Sequence, residues 1–236
     1  MKEIHIVMMV IVLMGVGIGG FFMLQQLKVD EREPMEPINE KIRLPEPKYD
    51  SNTSVEQALL KRRSVRVYKD EPLALTEVLQ LLWAAQGITD PRGFRTAPSA
   101  GALYPLELYV VAGNVNDLPD GIYKYKPHKH ELAMVVEGDK RTELCNAALD
   151  QPSIKDAAAL IVFSAVYERT TGKYGERGIR YVHMEVGHAA QNIYLQAVSL
   201  NLGLVVIGAF DDEEVKKIMN MEDKEQPLYI IPVGKE

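Results

Sequence analysis

The chain has 236 residues, 47% hydrophobic and 25% charged, which supports a globular domain with its own core and excludes disordered, collagenous and disulfide-built classes. Its 27 Lys and Arg stand against 33 Asp and Glu, and the resulting formal charge of −6 argues against a nucleic-acid partner. The single cysteine, Cys145, excludes an internal disulfide, a four-cysteine zinc site or an iron–sulfur cluster held by this chain alone, and reads as a small buried apolar residue.

In chain order, the first element is an apolar helix. Ile6 to Leu24 is a run of 19 residues without a charge, long enough to cross a bilayer core of about 30 Å at about 1.5 Å per residue. No A-x-A-like cleavage site follows it, so an uncleaved single-span membrane anchor over residues 1–27 is favoured over a cleaved signal peptide or a buried helix. Only Lys2 precedes the run, whereas Lys28, Arg32, Lys41 and Arg43 follow it, which places the remaining chain on the cytoplasmic side. Residues 28–51, with Pro34, Pro37, Pro45 and Pro47, read as an extended linker, and residues 52–236 as one domain.

Within that domain, Thr53-x-x-Glu56 and Ser54-x-x-Gln57 both have capping-box spacing and open a helix through about Lys61. A second helix runs from Thr76 to Gln86 and stops at Gly87. Strands follow at Leu106 to Ala112 and Ala157 to Tyr167, with a hairpin of Ile122 to Tyr125 and Glu131 to Val136 between them. Helices are expected at Lys140 to Leu149, Ile179 to Asn201 and Asp211 to Met219, and further strands at Gly203 to Phe210 and Leu228 to Val233. A hairpin combined with helical crossovers predicts an α+β fold with helices packed on a central mixed sheet.

Three segments carry chemistry. Arg62-Arg63-Ser64-Val65-Arg66 concentrates three guanidinium groups and a hydroxyl, a set suited to phosphate but equally able to complement a helix C-terminal dipole. Ala97-Pro98-Ser99-Ala100-Gly101 precedes a strand and is either a loop whose backbone approaches a flat ligand or a plain connection. The third combines Tyr174 to Tyr181 with Glu185, His188 and Asn192, which share a helix face and need partners or a site. Glu185-x-x-His188 has the spacing of a di-iron helix, but no second such pair exists, so no metal is expected. The G-x-S-x-G elbow of serine hydrolases is absent as well.

The order and spacing of RRSVR (62–66), PSAGALYPLELYVV (98–111), YGERGIRY (174–181), EVGHAAQNIYLQA (185–197), LGLVVIGAFDD (202–212) and PLYIIPVG (227–234) resemble the nitroreductase-like flavoprotein superfamily, and within it the SagB-type (SagB/ThcOx) dehydrogenases. The resemblance implies a three-layer sandwich, noncovalent FMN, and a homodimer with each flavin at the subunit interface. By the same resemblance Arg62, Arg63, Ser64 and Arg66, joined by Lys235, hold the phosphate. Pro98, Ser99 and Ala100 line the ring from the partner, and Ile207 and Gly208 approach its N5 edge. It also implies hydride transfer with a small organic substrate, with NAD(P)H among the electron donors and azoline oxidation as a family chemistry. Azoline-oxidising relatives use a Lys-Tyr pair for proton removal, and Arg180 and Tyr181 occupy the corresponding place in this reading. A guanidinium stabilises an anion but does not act as a base, which leaves proton transfer to Tyr181. The alternative is a non-catalytic subunit of a membrane-associated complex that keeps the fold without turnover.

Overall fold

A computed structural model describes residues 41–236. The apolar run Ile6–Leu24 lies outside these residues, and no helix among them is long and apolar enough to cross a membrane. The description begins with strand β1 (Lys41–Arg43), which pairs with β6 (Glu131–Glu137). Leu44 is buried, and the Lys48 backbone exchanges hydrogen bonds of 2.8 and 2.9 Å with the Gln80 side chain. Residues 41–50, expected as linker, are therefore built into the domain. Sequence pattern missed this because a single strand and two prolines carry no periodicity, and their attachment is made by distant partners.

Helix α1 (Val55–Lys61) is capped by Ser54, whose hydroxyl accepts from the Gln57 N–H. A short β2 (Leu73–Ala74) leads into α2 (Leu75–Gln86), where the Glu77 carboxylate accepts from the Ala74 N–H at 2.8 Å. Then come β3 (Leu106–Ala112), β4 (Val115–Asn116), β5 (Gly121–Lys126) and the hairpin partner β6. The helix expected over Lys140 to Leu149 is α3 (Arg141–Ala147), and a short unexpected α4 (Pro152–Lys155) follows it. Leu149 and Asp150 between them have φ of 58° and 55°, which no right-handed helix accommodates. After β7 (Ala159–Val166) comes a helix that periodicity did not reveal, α5 (Glu168–Tyr174). The long α6 (Arg177–Leu200) ends at Asn201 in the left-handed conformation. The chain closes with β8 (Leu202–Leu204), α7 (Asp212–Ile218) and β9 (Glu225–Lys235).

The main sheet has the order β1-β6-β5-β3-β7-β9-β8, and every neighbouring pair is antiparallel. The expected mixed sheet is thus corrected: the one parallel pairing among the described residues is the separate two-stranded β2–β4. The reason is where the connections end. Ala112 pairs with Ala159, so the chain re-enters the sheet at β7 beside the finish of β3 and must run the opposite way.

Alternation along these strands divides the core into two apolar layers. Leu108 and Val110 of β3, with Ile161 and Phe163 of β7, face Leu81 and Leu82 of α2 and Val186 and Ile193 of α6. Tyr109, Val111, Leu160 and Val162 point the other way, onto Leu144, Ile154, Val215 and Met219 of α3, α4 and α7. Cys145 is buried in this second layer. Helices on both faces of one sheet make the expected three layers.

Candidate active site

Arg62 caps the end of α1, and from there the chain runs extended along the β8–β9 edge. The Val65 N–H donates to the Leu204 carbonyl at 2.9 Å and the Lys69 N–H to Lys235 at 3.0 Å. A Cβ at Gly203 would fall 2.7 Å from Val65 Cγ1, so glycine there lets the segment lie flush. Tyr194 of α6 organises what results. Its hydroxyl is 3.0 Å from Ser64 Oγ and accepts from the Val206 N–H at 3.1 Å, and the Arg62 guanidinium lies 5.0 Å from its ring centre. Either hydroxyl can donate in the Ser64–Tyr194 contact, and when Tyr194 donates the Ser64 hydrogen is left for an incoming acceptor. Sequence reading quoted Tyr194 inside a motif and gave it no role, because the contact joins residues 130 apart.

The other cations expected here are dispersed. Arg63 is exposed and donates to the carbonyls of Leu60 and Arg62, at 3.2 and 2.7 Å. Arg66 is exposed and lines a different cavity, with Arg141 and Lys155. Lys235 Nζ lies 2.5 Å from Glu77, so its charge is already matched. Five residues of sequence brought these guanidinium groups together; alternation along an extended backbone turns Arg63 away from Arg62 and Ser64, and Arg66 lines another cavity.

Ile207 is buried and exchanges two 2.9 Å hydrogen bonds with Ile230, which pins the loop after β8. Gly208 follows it at the surface, and a Cβ there would meet nothing nearer than Tyr229 at 3.5 Å, an ordinary contact. The protein's own packing leaves that backbone open for a ligand to approach.

The Pro98 to Ala100 loop is tied to α6 and to its own strand. Asn192 donates to the Thr96 carbonyl at 3.3 Å, and the Tyr104 N–H donates to Ser99 Oγ at 2.9 Å. Gly101, Ala102 and Tyr104 have φ of 65°, 52° and 46°, a strained stretch that the surroundings must hold. Beneath it sits Glu185, only 2% exposed, with one carboxylate oxygen lacking any partner. Burial pushes its pKa up to about 7, with the Ser99 hydroxyl and the Arg95 charge pulling the other way.

Arg180 is exposed, and among the described residues its side chain makes no hydrogen bond, ion pair or ring contact. Tyr181 packs edge-on against Tyr174, ring centres 5.2 Å apart. The groups that reach the loop are instead Lys173 and Tyr174: a Cβ on Gly101 would lie 3.1 Å from Lys173 Nζ and 2.8 Å from Tyr174 Oη. Gly175, at φ 57°, turns the chain between α5 and α6 and so delivers this pair to the loop. Periodicity does not reveal α5, so this contact is visible only in the structure.

The description "Nitroreductase family" fits residues 59–235. A protein of Methanocaldococcus jannaschii named for the nitroreductases is 51% identical over 181 residues, covering 77% of this chain and 90% of its own. The microcin B17-processing protein of Escherichia coli is 28% identical over 158 residues, 64% of this chain and 58% of that protein. A solved structure of a nitroreductase-family protein from Ralstonia eutropha superposes with a TM-score of 0.73 at 27% identity, over 86% of this chain and 98% of the other. The chain is accordingly an oxidoreductase that belongs to the nitroreductase family.

Proposed function

We propose that this oxidoreductase binds FMN and passes a hydride between it and a small organic substrate. The observation that carries the reading is Tyr194, which joins Arg62 and Ser64 to Val206, two residues before the open backbone at Gly208. A cation and a hydroxyl suit a phosphate dianion, and an unobstructed glycine backbone suits a flat ring, so these residues fit the group. Bound FMN supplies the hydride chemistry.

The chain supplies the rest. Arg62 and Ser64 hold the phosphate, the Ile207–Gly208 backbone meets the ring, and the Tyr104 N–H fixes Ser99 in its strained loop. Lys173 and Tyr174, rather than Arg180 and Tyr181, hold and move the proton, because an ammonium beside a phenol can exchange one whereas a guanidinium does not. A second copy brings its Pro98 to Ala100 loop to the ring. The exposed apolar side chains Val55, Leu59 and Leu60 of α1, with Ile179 and Met184 of α6, support such a homodimer.

Azoline oxidation of a peptide is the second reading, favoured by the Lys173–Tyr174 pair and by the similarity to the microcin B17-processing protein. The charge-free run Ile6–Leu24 supports a membrane tether with the domain on the cytoplasmic side, which fractionation of expressing cells tests. The flavin test is an absorbance spectrum of purified protein titrated with FMN. Bound, perturbed flavin at one per chain is the expected result, and protein that stays flavin-free removes the reading.

A further inference from the structure

A second cavity, of about 500 Å³, lies against the sheet beside α2 and is separate in its residues from the Arg62–Ser64–Tyr194 cluster. Five Lys and Arg line it against two Glu. Glu107 is already paired with Arg169, at 2.5 Å, and Glu131 with Lys129, at 4.0 Å. Among the described residues, that leaves Lys41, Arg95 and Lys126 as cations facing it without an acidic partner within ion-pair distance. Leu106, Leu108 and Tyr125 supply an apolar wall.

The polar part of the lining is short of acceptors. Gln86 is 0% exposed, and its Oε1 accepts from Arg95 Nη1 at 2.7 Å, which fixes the orientation of the amide. Gln86 Nε2 is then left buried with no acceptor, and Arg95 Nε is in the same condition. Buried donors left unmade are costly, and native structures carry few of them without a reason. Half-buried Lys126 adds an ammonium that burial and neighbouring Lys124 make harder to keep charged.

We propose that this cavity binds an organic carboxylate: its oxygens accept from Gln86 and Arg95, its charge offsets Lys126 and Arg95, and its apolar body lies on Leu106, Leu108 and Tyr125. A carboxylate offers about four acceptor sites and one negative charge, which is what this lining lacks. The volume falls within the range of small-molecule sites and exceeds what a bare inorganic anion fills. The ligand would sit behind the strained loop, since Arg95 also stacks on the Tyr104 ring at 4.4 Å and Arg169 donates to the Tyr104 carbonyl at 3.1 Å.

The test is calorimetric titration of the full chain with 3-phenylpropanoate, and with its neutral amide as control. The experiment is run on flavin-free and FMN-treated protein, so that it stands whether or not the flavin reading does. Saturable one-to-one binding of the carboxylate, and none of the amide, is the expected result. Gln86→Leu, which removes the orphaned donor, weakens binding by about tenfold or more. Lys126→Gln, a milder change that keeps the test informative if the first variant unfolds, weakens it by about threefold to tenfold. No saturable heat from the carboxylate, equal affinity for the amide, or unchanged affinity in the folded variants overturns the proposal.

Discussion

Glu225 and Glu185 are both withdrawn from water, at 0% and 2% exposure, and their surroundings treat them in opposite ways. Glu225, on β9, accepts from Tyr109 at 2.8 Å and Ser164 at 2.6 Å and is ion-paired to Lys124, so its partners come from β3, β7 and β5. Burial pushes its pKa up, but those hydrogen bonds and the Lys124 charge more than reverse the effect and leave it below the ordinary value. Glu185 lacks a partner for one oxygen, and burial wins. A buried carboxylate whose lone pairs are filled locks strands in register. One left short of donors marks the place where packing has been held open beside a working loop.

Tests that strike the two groups separately sharpen this contrast. The largest effect is expected from Glu225→Gln, which removes the charge facing buried Lys124 and lowers unfolding free energy by about 3–5 kcal/mol in denaturant titration. A loss below about 1 kcal/mol would mean that Glu107 and Glu222, 3.5 and 3.7 Å from Lys124, take over. On the site side, Tyr174→Phe should cut turnover by about a hundredfold or more while FMN stays bound. Unchanged steady-state rates would return the proton to Tyr181.

Glu185→Gln is a smaller and opposite stability test. The folded pKa of about 7 lies above the ordinary carboxyl value of 4.5, so the folded state holds the extra proton between them and the wild type loses stability as pH rises through that window. The variant should match the wild type near pH 4 and exceed it by on the order of 2 kcal/mol at pH 8. Melting curves that stay parallel across that range would show that the carboxyl finds a partner when ionised. Glu225 has the reverse sign: its contribution is present above the ordinary carboxylate pKa and fades as pH falls below it. The smallest effect is Ser64→Ala, which removes one donor from the phosphate position and weakens FMN by about fivefold to tenfold in a fluorescence titration. No change there would leave Arg62 to hold the phosphate without it.

Much of this molecule was legible along the chain. Ser54 as one of two capping candidates, the start of α7 near Asp211, the β5–β6 hairpin, the length of α6 and the alternation of β3 follow from local hydrogen-bonding and periodicity, which neighbouring residues decide among themselves. The small-residue loop and the arginine segment were visible as chemistry because their composition is unusual for plain connections. What resisted reading was set by partners far apart in sequence. α5 is seven residues with little apolar periodicity, so the approach of Lys173 and Tyr174 to Gly101 could not be read along the chain.

By itself, then, the sequence determined most of the longer helices and strands and the places along the chain of Arg62, Ser64 and the Pro98 to Ala100 loop, since each rests on residues within a turn or a strand of one another, while the three-layer sandwich came from the resemblance. Tertiary structure alone decided that the sheet is antiparallel throughout and that residues 41–50 belong to the domain. It also decided that Tyr194 selects Arg62 and Ser64 from the basic segment, that Glu77 claims Lys235, and that Lys173 and Tyr174 meet Gly101. Those outcomes depend on which surfaces are brought together when the two apolar layers close, and no local pattern encodes the far side of such a contact.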